Sequence, residues 1–135
     1  MRNPFNDKII AEFRNNNGVV GAPFAGMPMV LLTSTGAKSG QPHTTPLVPY
    51  IDGERVYVIA SMGGAPKHPA WYHNVAANPN VTVERGTDKY AATARILEGP
   101  ERDDIYARQA ALLPAFADYQ QKTTRTIPVI ELIRQ

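Results

Sequence analysis

Residues 44–64 read Thr44-Thr45-Pro46-Leu47-Val48-Pro49-Tyr50-Ile51-Asp52-Gly53-Glu54-Arg55-Val56-Tyr57-Val58-Ile59-Ala60-Ser61-Met62-Gly63-Gly64. β-Branched and aromatic residues run up to Asp52-Gly53 and resume as a Val-Tyr-Val-Ile segment. Asp-Gly between two such runs is a strong hairpin signal, because both residues tolerate the positive φ of a tight turn. The stretch predicts a strand over 44–51, a turn, and a strand over 55–60. Gly63-Gly64-Ala65-Pro66 then breaks the strand.

Toward the N-terminus, Val30 to Thr35 is also β-like, and Thr35-Gly36-Ala37-Lys38-Ser39-Gly40 is a turn with two glycines. The first half therefore predicts a three-stranded meander. Farther upstream, Phe5, Ile9, Ile10 and Phe13 recur at helical spacing, giving a helix over 4–14 with one apolar stripe. The stripe can dock on the domain or touch a membrane surface. Few basic residues surround it, which favours docking and leaves weak peripheral membrane contact as the second use. A Gly-, Ala- and Pro-rich lead-in follows over 19–29.

Toward the C-terminus, Pro69 suits the start of a helix ending near Ala77, and Asn78-Pro79 stops it. Residues 80–85 alternate as a strand, Gly86-Thr87-Asp88 turns, and 89–97 returns. Pro100 opens a helix whose first turn holds Glu101, Asp103 and Asp104, where the helix dipole favours acids. Pro114 interrupts it, and a short helix runs through Tyr119. A last strand is predicted over 127–133, with Pro128 suggesting an edge or a bulge. Antiparallel hairpins dominate, which excludes a doubly wound parallel sheet. The expectation is an α+β fold, a mostly antiparallel barrel of about six strands, partly closed, with short flanking helices. Residues 1–28 form the helix and lead-in, and 29–135 form the barrel domain.

With 135 residues, 43% of them apolar, the chain fits one domain with one core. It has no cysteine, which removes disulfides, thiolate metal sites and cysteine nucleophiles. No secretory signal or spanning segment is legible, and a cytoplasmic location is expected. A net charge of +2 gives no footprint for nucleic acid. The distribution says more: between Glu12 and Glu84 the only acids are Asp52 and Glu54, while Lys38, Lys67, His43, His68 and His73 share that span. An anionic ligand is favoured there.

Two segments could hold such a ligand. In Thr35-Gly36-Ala37-Lys38-Ser39-Gly40-Gln41-Pro42-His43-Thr44-Thr45-Pro46, glycines let the backbone present N–H groups to one anion. Lys38 adds charge, and Ser39, Thr44 and Thr45 add hydroxyls. The spacing is not that of a Walker A loop, and a strand follows, not a helix. The other reading is an ordinary hairpin turn. In Ser61-Met62-Gly63-Gly64-Ala65-Pro66-Lys67-His68-Pro69-Ala70-Trp71-Tyr72-His73-Asn74, a glycine pair precedes a helix N-terminus that suits an anion. Trp71 and Tyr72 can wall a planar ring and Asn74 can read its polar edge. Trp71 and Val75, one helical turn apart, can equally be core. Phe116 and Tyr119 can cover a pocket mouth or fill the core. The histidines lack metal-ligand spacing, and no nucleophile elbow supports a Ser-His-Asp triad.

In this order, these segments and the later Asp118-Tyr119-Gln120-Gln121-Lys122-Thr123-Thr124-Arg125-Thr126-Ile127-Pro128-Val129-Ile130 resemble the deazaflavin-dependent nitroreductase family of actinobacteria. The resemblance runs from about Met29 to near the C-terminus. It implies a split β-barrel of the flavin-reductase type that binds coenzyme F420, an 8-hydroxy-5-deazaflavin with a phosphate and an oligoglutamate tail. By resemblance, Lys38 and Ser39 hold the phosphate or tail, and His43, Thr44, Thr45, Pro46 and Val48 run beside the cofactor. Ala60, Ser61 and Met62 border the ring, Ala70, Trp71, Tyr72, His73 and Asn74 approach it from the following helix, and Phe116 closes over it. Many family members carry basic residues where Ala37, His43 and Met62 stand. Each lost charge-assisted hydrogen bond is worth about 1–3 kcal/mol. Nitro-reducing members place tyrosines where Val48, Leu113 and Phe116 stand, and only Tyr119 is kept.

The implied activity is hydride transfer from the reduced deazaflavin to a quinone, enone or nitro-type acceptor. Tyr119 and Ser61 are the candidate proton donors beside water, which the missing tyrosines favour. The alternatives are an FMN-binding reductase on the same barrel and a non-catalytic deazaflavin carrier. A monomer is expected over a dimer.

Overall fold

Among the described residues, seven strands form one antiparallel sheet in the order β2-β1-β5-β6-β7-β4-β3. They are β1 (Val30–Thr35), β2 (Pro42–Leu47), β3 (Tyr50–Asp52), β4 (Arg55–Ile59), β5 (Asn80–Arg85), β6 (Asp88–Ile96) and β7 (Val129–Arg134). The helices are α1 (Pro4–Asn15), α2 (Ala70–Ala77), α3 (Gly99–Leu112) and α4 (Ala115–Gln121). This computed structural model describes residues 3–22 and 24–135. Met1, Arg2 and Pro23 of the predicted lead-in segment lie outside the described residues.

The edge strands β2 and β3 are joined by only Val48 and Pro49. Laid flat, seven strands would separate the two edges by about 29 Å, whereas the link from Leu47 to Tyr50 reaches about 11 Å at most. The sheet must therefore curl until its edges approach, yet no β2–β3 pairing bridges them. That is a split barrel, as expected.

Three details of the prediction are corrected. The single strand expected over 44–51 is two strands. Pro49 has no N–H for a ladder, and the chain changes edges there. The expected meander is therefore absent: β1 pairs with β2 and β5, while β3 and β4 pair at the far edge. Pro128 marks neither an edge nor a bulge, because β7 lies between β6 and β4 and Pro128 precedes it, its carbonyl accepting from Ala60 N at 3.0 Å. The prolines that do sit on an edge are Pro42 and Pro46 of β2.

Strand alternation divides the side chains. Val30, Leu32, Val56, Val58, Val81, Val83, Ala92, Ala94, Ile130 and Leu132 fill the barrel, closed off by Trp71 and Val75 of α2. Outside, α3 and α4 cover Tyr57, Ile59 and Val129 with Ile105, Tyr106, Phe116 and Tyr119. On another face α1 covers Met29 and Leu31 with Ile9 and Phe13. The α1 stripe is thus a docking face. Ile9 and Phe13 are fully buried, which stabilises the fold by roughly 2–3 kcal/mol each. Phe5 alone of the large α1 apolar residues stays exposed. No described helix is long and apolar enough to cross a membrane.

Candidate cofactor site

The antiparallel registers fix which segments share a barrel end. The end of β1, the start of β5, the end of β6, the start of β7 and the end of β4 lie together, since Thr33 pairs with Thr82, Ile96 with Ile130 and Ile59 with Val129. The turn 36–41, the segment 60–65 and α2 therefore gather at this end. The turns 52–54 and 86–87 lie at the other. Asp52 and Glu54, the only acids between Glu12 and Glu84, stand at that other end. The first end is the one suited to an anion.

An inward hydrogen-bond pair builds its rim. Asn74 Oδ1 accepts from Ala37 N at 3.0 Å, and Asn74 Nδ2 donates to Ser34 Oγ at 3.4 Å. Asn74 is buried, so its amide fixes the turn against α2 and does not face outward. Within the turn, Gly36 N donates to Gln41 O at 2.8 Å and Gly40 N to Gly36 O at 2.9 Å. Ser39 Oγ accepts from Gln41 N at 3.1 Å and lies 3.4 Å from His43 Nε2. A Cβ on Gly36 would stand 2.4 Å from Ser39 Oγ, so a larger residue here has to push that hydroxyl aside. This tight frame leaves Lys38 and Ser39 exposed at its tip.

The β2 candidates separate by face. His43 and Thr45 share the face of Leu47, which borders the barrel interior. Thr44, Pro46 and Val48 take the other face, where Thr44 Oγ1 lies 2.8 Å from Thr33 Oγ1 and Val48 packs beside α1. On α2, Ala70 and His73 are exposed, Tyr72 is half-buried against the interior cluster, and Trp71 is core.

The segment after β4 is held in an unusual backbone. Met62, Gly63 and Gly64 all have positive φ, at 48°, 64° and 82°. Ala60 is buried, Ser61 half-buried, and Met62 exposed. A Cβ on Gly64 would stand 2.8 Å from Tyr119 O, so α4 rests directly on this glycine. Phe116 and Tyr119 contact each other at 5.3 Å between ring centroids and pack on the α3 cluster, half-buried beside the segment. The Tyr106 hydroxyl donates to Phe116 O and anchors that helix.

Arg125, in the loop before β7, was not singled out from the sequence. Its Nε donates to Ala65 O at 2.9 Å, its NH2 to Ser61 O at 2.8 Å and its NH1 to Ala60 O at 3.2 Å. NH1 also lies 2.9 Å from His68 Nδ1. Burial lowers the pKa of His68 below its ordinary value, and the Arg125 charge and His73 add to that. Gln120 joins the loop to its neighbours, with Nε2 donating to Arg125 O at 2.8 Å and Oε1 accepting from Arg102 at 2.7 Å and Ile127 N at 3.1 Å. Four backbone and ring acceptors meeting one arginine leave no linear pattern in the chain.

A cleft of about 690 Å³ lies at the opposite barrel end among Gly53, Arg55, Arg85, Asp88, Tyr90 and Arg134. None of the predicted site residues lines it. Its charges are largely spent: Arg55 pairs with Glu131 at 2.9 Å, and Arg134 with Asp88 at 2.6 Å. Among the described residues no cluster of histidines and acids could hold a metal.

A basic, acid-poor rim with an exposed Lys38-Ser39 tip suits a ligand with an anionic tail, and comparison with known proteins points to the same class. A family model described as F420H(2)-dependent quinone reductase matches residues 7–133. An F420H(2)-dependent quinone reductase of Mycobacterium tuberculosis is 38% identical over 131 residues, covering 93% of this chain and 87% of that protein. A solved structure described as an F420-H2 dependent reductase, FDR-A, superposes with a TM-score of 0.72 at 45% identity, covering 78% of this chain and 93% of the other. A second, described as a domain-swapped dimer, gives the same TM-score and identity, covering 78% of this chain and 79% of the other. The chain belongs to the F420H(2)-dependent quinone reductase family.

Proposed function

We propose that this protein uses reduced coenzyme F420 to reduce a quinone, with the cofactor lying across the barrel end formed by the turn 36–41, the segment 60–65 and α2. The observation that carries this reading is the Asn74–Ala37 clasp, which holds the exposed Lys38-Ser39 tip against the helix that follows the glycine pair. The donor set fits the group: a free lysine and hydroxyls, with no acid between Glu12 and Glu84 at this end. The family leaves FMN as the lesser alternative, and a carrier without turnover as another.

Bound there, the reduced deazaflavin supplies a hydride, so the hard chemistry is the cofactor's and the protein's task is alignment. Lys38 Nζ and Ser39 Oγ bind the phosphate or tail, with His43 and Thr45 along the path on the inward face of β2. Ala60, Ser61 and Met62 border the ring. Trp71 and Asn74 act from behind, as support for the rim, while Ala70, Tyr72 and His73 face it. Phe116 and Tyr119 of α4 flank the acceptor. Ser61 Oγ and Tyr119 Oη are the side-chain groups that could hold the proton the reduced quinone takes up, with water favoured as the donor.

Turnover of reduced F420 with a panel of quinones, enones and nitroaromatics tests the reading. Quinone-dependent oxidation of the cofactor supports it; tight binding without turnover on any acceptor supports the carrier instead. The proposed compartment is the cytoplasm. Weak attachment at the inner face of the plasma membrane through α1 uses the exposed Phe5, and liposome flotation tests it. A monomer is the proposed state, and light scattering decides between it and an exchanged dimer.

A further inference from the structure

Arg125 makes the one polar knot at the candidate site that the assignments above leave without a role. Four of its five N–H groups are engaged, by Ala60 O, Ser61 O, Ala65 O and His68 Nδ1. All four partners are neutral acceptors. Of the ion pairs among the described residues, none includes Arg125. A half-buried guanidinium without a counter-ion leaves a positive charge hydrogen-bonded to the backbone of residues 60–65, and that favours an anionic or electron-rich group nearby.

The knot also has a conformational consequence. Met62, Gly63 and Gly64 adopt consecutive positive φ values, which costs free energy at the non-glycine Met62 and persists only when neighbours over-determine it. Arg125 grips this segment on both sides, at Ala60 and Ser61 before it and at Ala65 after it. Arginine can only donate, so His68 Nδ1 must accept, and the ring's proton sits on Nε2. The His68 ring lies against Tyr72, tilted by 47° at 4.7 Å between centroids, so the tautomer is set beside α2.

We propose that Arg125 is the positioning residue of the cofactor platform, clamping residues 60–65 and His68 in the one arrangement that seats the deazaflavin ring. This rests on the F420 reading above. A lysine delivers the charge but has no planar fork to span three carbonyls and an imidazole at once.

The test compares wild type with Arg125→Lys and Arg125→Gln. F420 affinity is measured by calorimetry, the KM for reduced F420 separately from kcat, and the His68 ring nitrogens by NMR. Wild type should show the Nε2–H tautomer. Both variants should bind F420 at least about tenfold more weakly, raise the KM for reduced F420 more than they lower kcat, and lose the fixed tautomer. If Arg125→Lys keeps the affinity, charge alone suffices and the clamp is overturned; unchanged affinity in both variants overturns it as well. Should the Arg125 variants fail to fold, His68→Asn tests the same clamp from its other side, with weaker F420 binding expected and unchanged binding contradicting it. If wild type itself does not bind F420, the functional reading fails, which is a distinguishable result.

Discussion

Leu47 and Tyr50 are three positions apart in the chain but belong to strands at opposite edges of the seven-stranded sheet. That short step draws the two edges of the split barrel together, and the buried carbonyl of Pro49 within it accepts from Gln109 Nε2 of α3 at 3.5 Å. Gln109 is itself almost completely buried. Gln109→Leu keeps the volume and removes the donor, leaving a buried carbonyl unpaired. The expected loss is about 1–3 kcal/mol, read as a shifted urea midpoint with an unchanged slope.

The two glycines of the platform should respond differently. Gly63 and Gly64 both have positive φ, but a Cβ on Gly63 meets nothing within 4 Å, while one on Gly64 meets Tyr119 O at 2.8 Å. Gly63→Ala should cost about 1 kcal/mol, from backbone strain alone. Gly64→Ala should cost more, about 2–4 kcal/mol, and displace α4. Thermal melts of the two variants, with the ring resonances of Phe116 and Tyr119 as reporters of α4, separate the cases. Equal melting points would remove the α4 contact from the account.

Asn74 should act through the turn it holds. Asn74→Ala orphans Ala37 N and leaves Ser34 Oγ buried, which costs about 1–2 kcal/mol of stability. If the clasp shapes the Lys38-Ser39 tip, F420 affinity should drop too, and hydrogen exchange should quicken at residues 36–41 while the β5–β6 hairpin is unaffected.

The outer face of β7 gives a pH dependence. Glu131 accepts from Arg55 at 2.9 Å and from Arg95 at 2.7 Å, and Arg95 also reaches Glu101. The Arg55 hydrogen bond, with that from Arg95, lowers the Glu131 pKa below its ordinary 4.5 despite burial. A carboxylate with a depressed folded-state pKa binds fewer protons folded than unfolded. Its contribution is therefore full above 4.5 and is lost as pH falls through the folded value. Glu131→Gln should remove about 1–2 kcal/mol near neutrality and flatten the acid limb of a plot of melting temperature against pH. An acid limb identical to wild type would assign it to other carboxylates.

Much of the fold was legible because its signals are local. Asp52-Gly53, the alternating residues 80–85 and Pro100 each act within a few residues, and the elements they start or end lie where expected. The break at Pro49 was missed since 44–51 reads as one continuous β run, and only the geometry of closure shows that the chain changes edges there. Pro128 was misplaced because a proline before a central strand and one on an edge strand look alike in sequence. At the site, the turn 36–41 and the glycine pair stood out by composition. Asn74 was identified, but the burial that turns its amide inward depends on β1, forty residues away at Ser34. Arg125 carried no local signal at all, since its partners are backbone carbonyls 60–65 positions earlier and a histidine 57 earlier.

The most direct test of the central claim is a titration of the purified protein with oxidised F420 and, separately, with FMN, following the fluorescence of Trp71, the only tryptophan. Trp71 lies on α2 behind the proposed ring site, so a bound deazaflavin should quench it by energy transfer. The account predicts saturable quenching at micromolar F420 and none with FMN. Saturation with FMN and no response to F420 would contradict it.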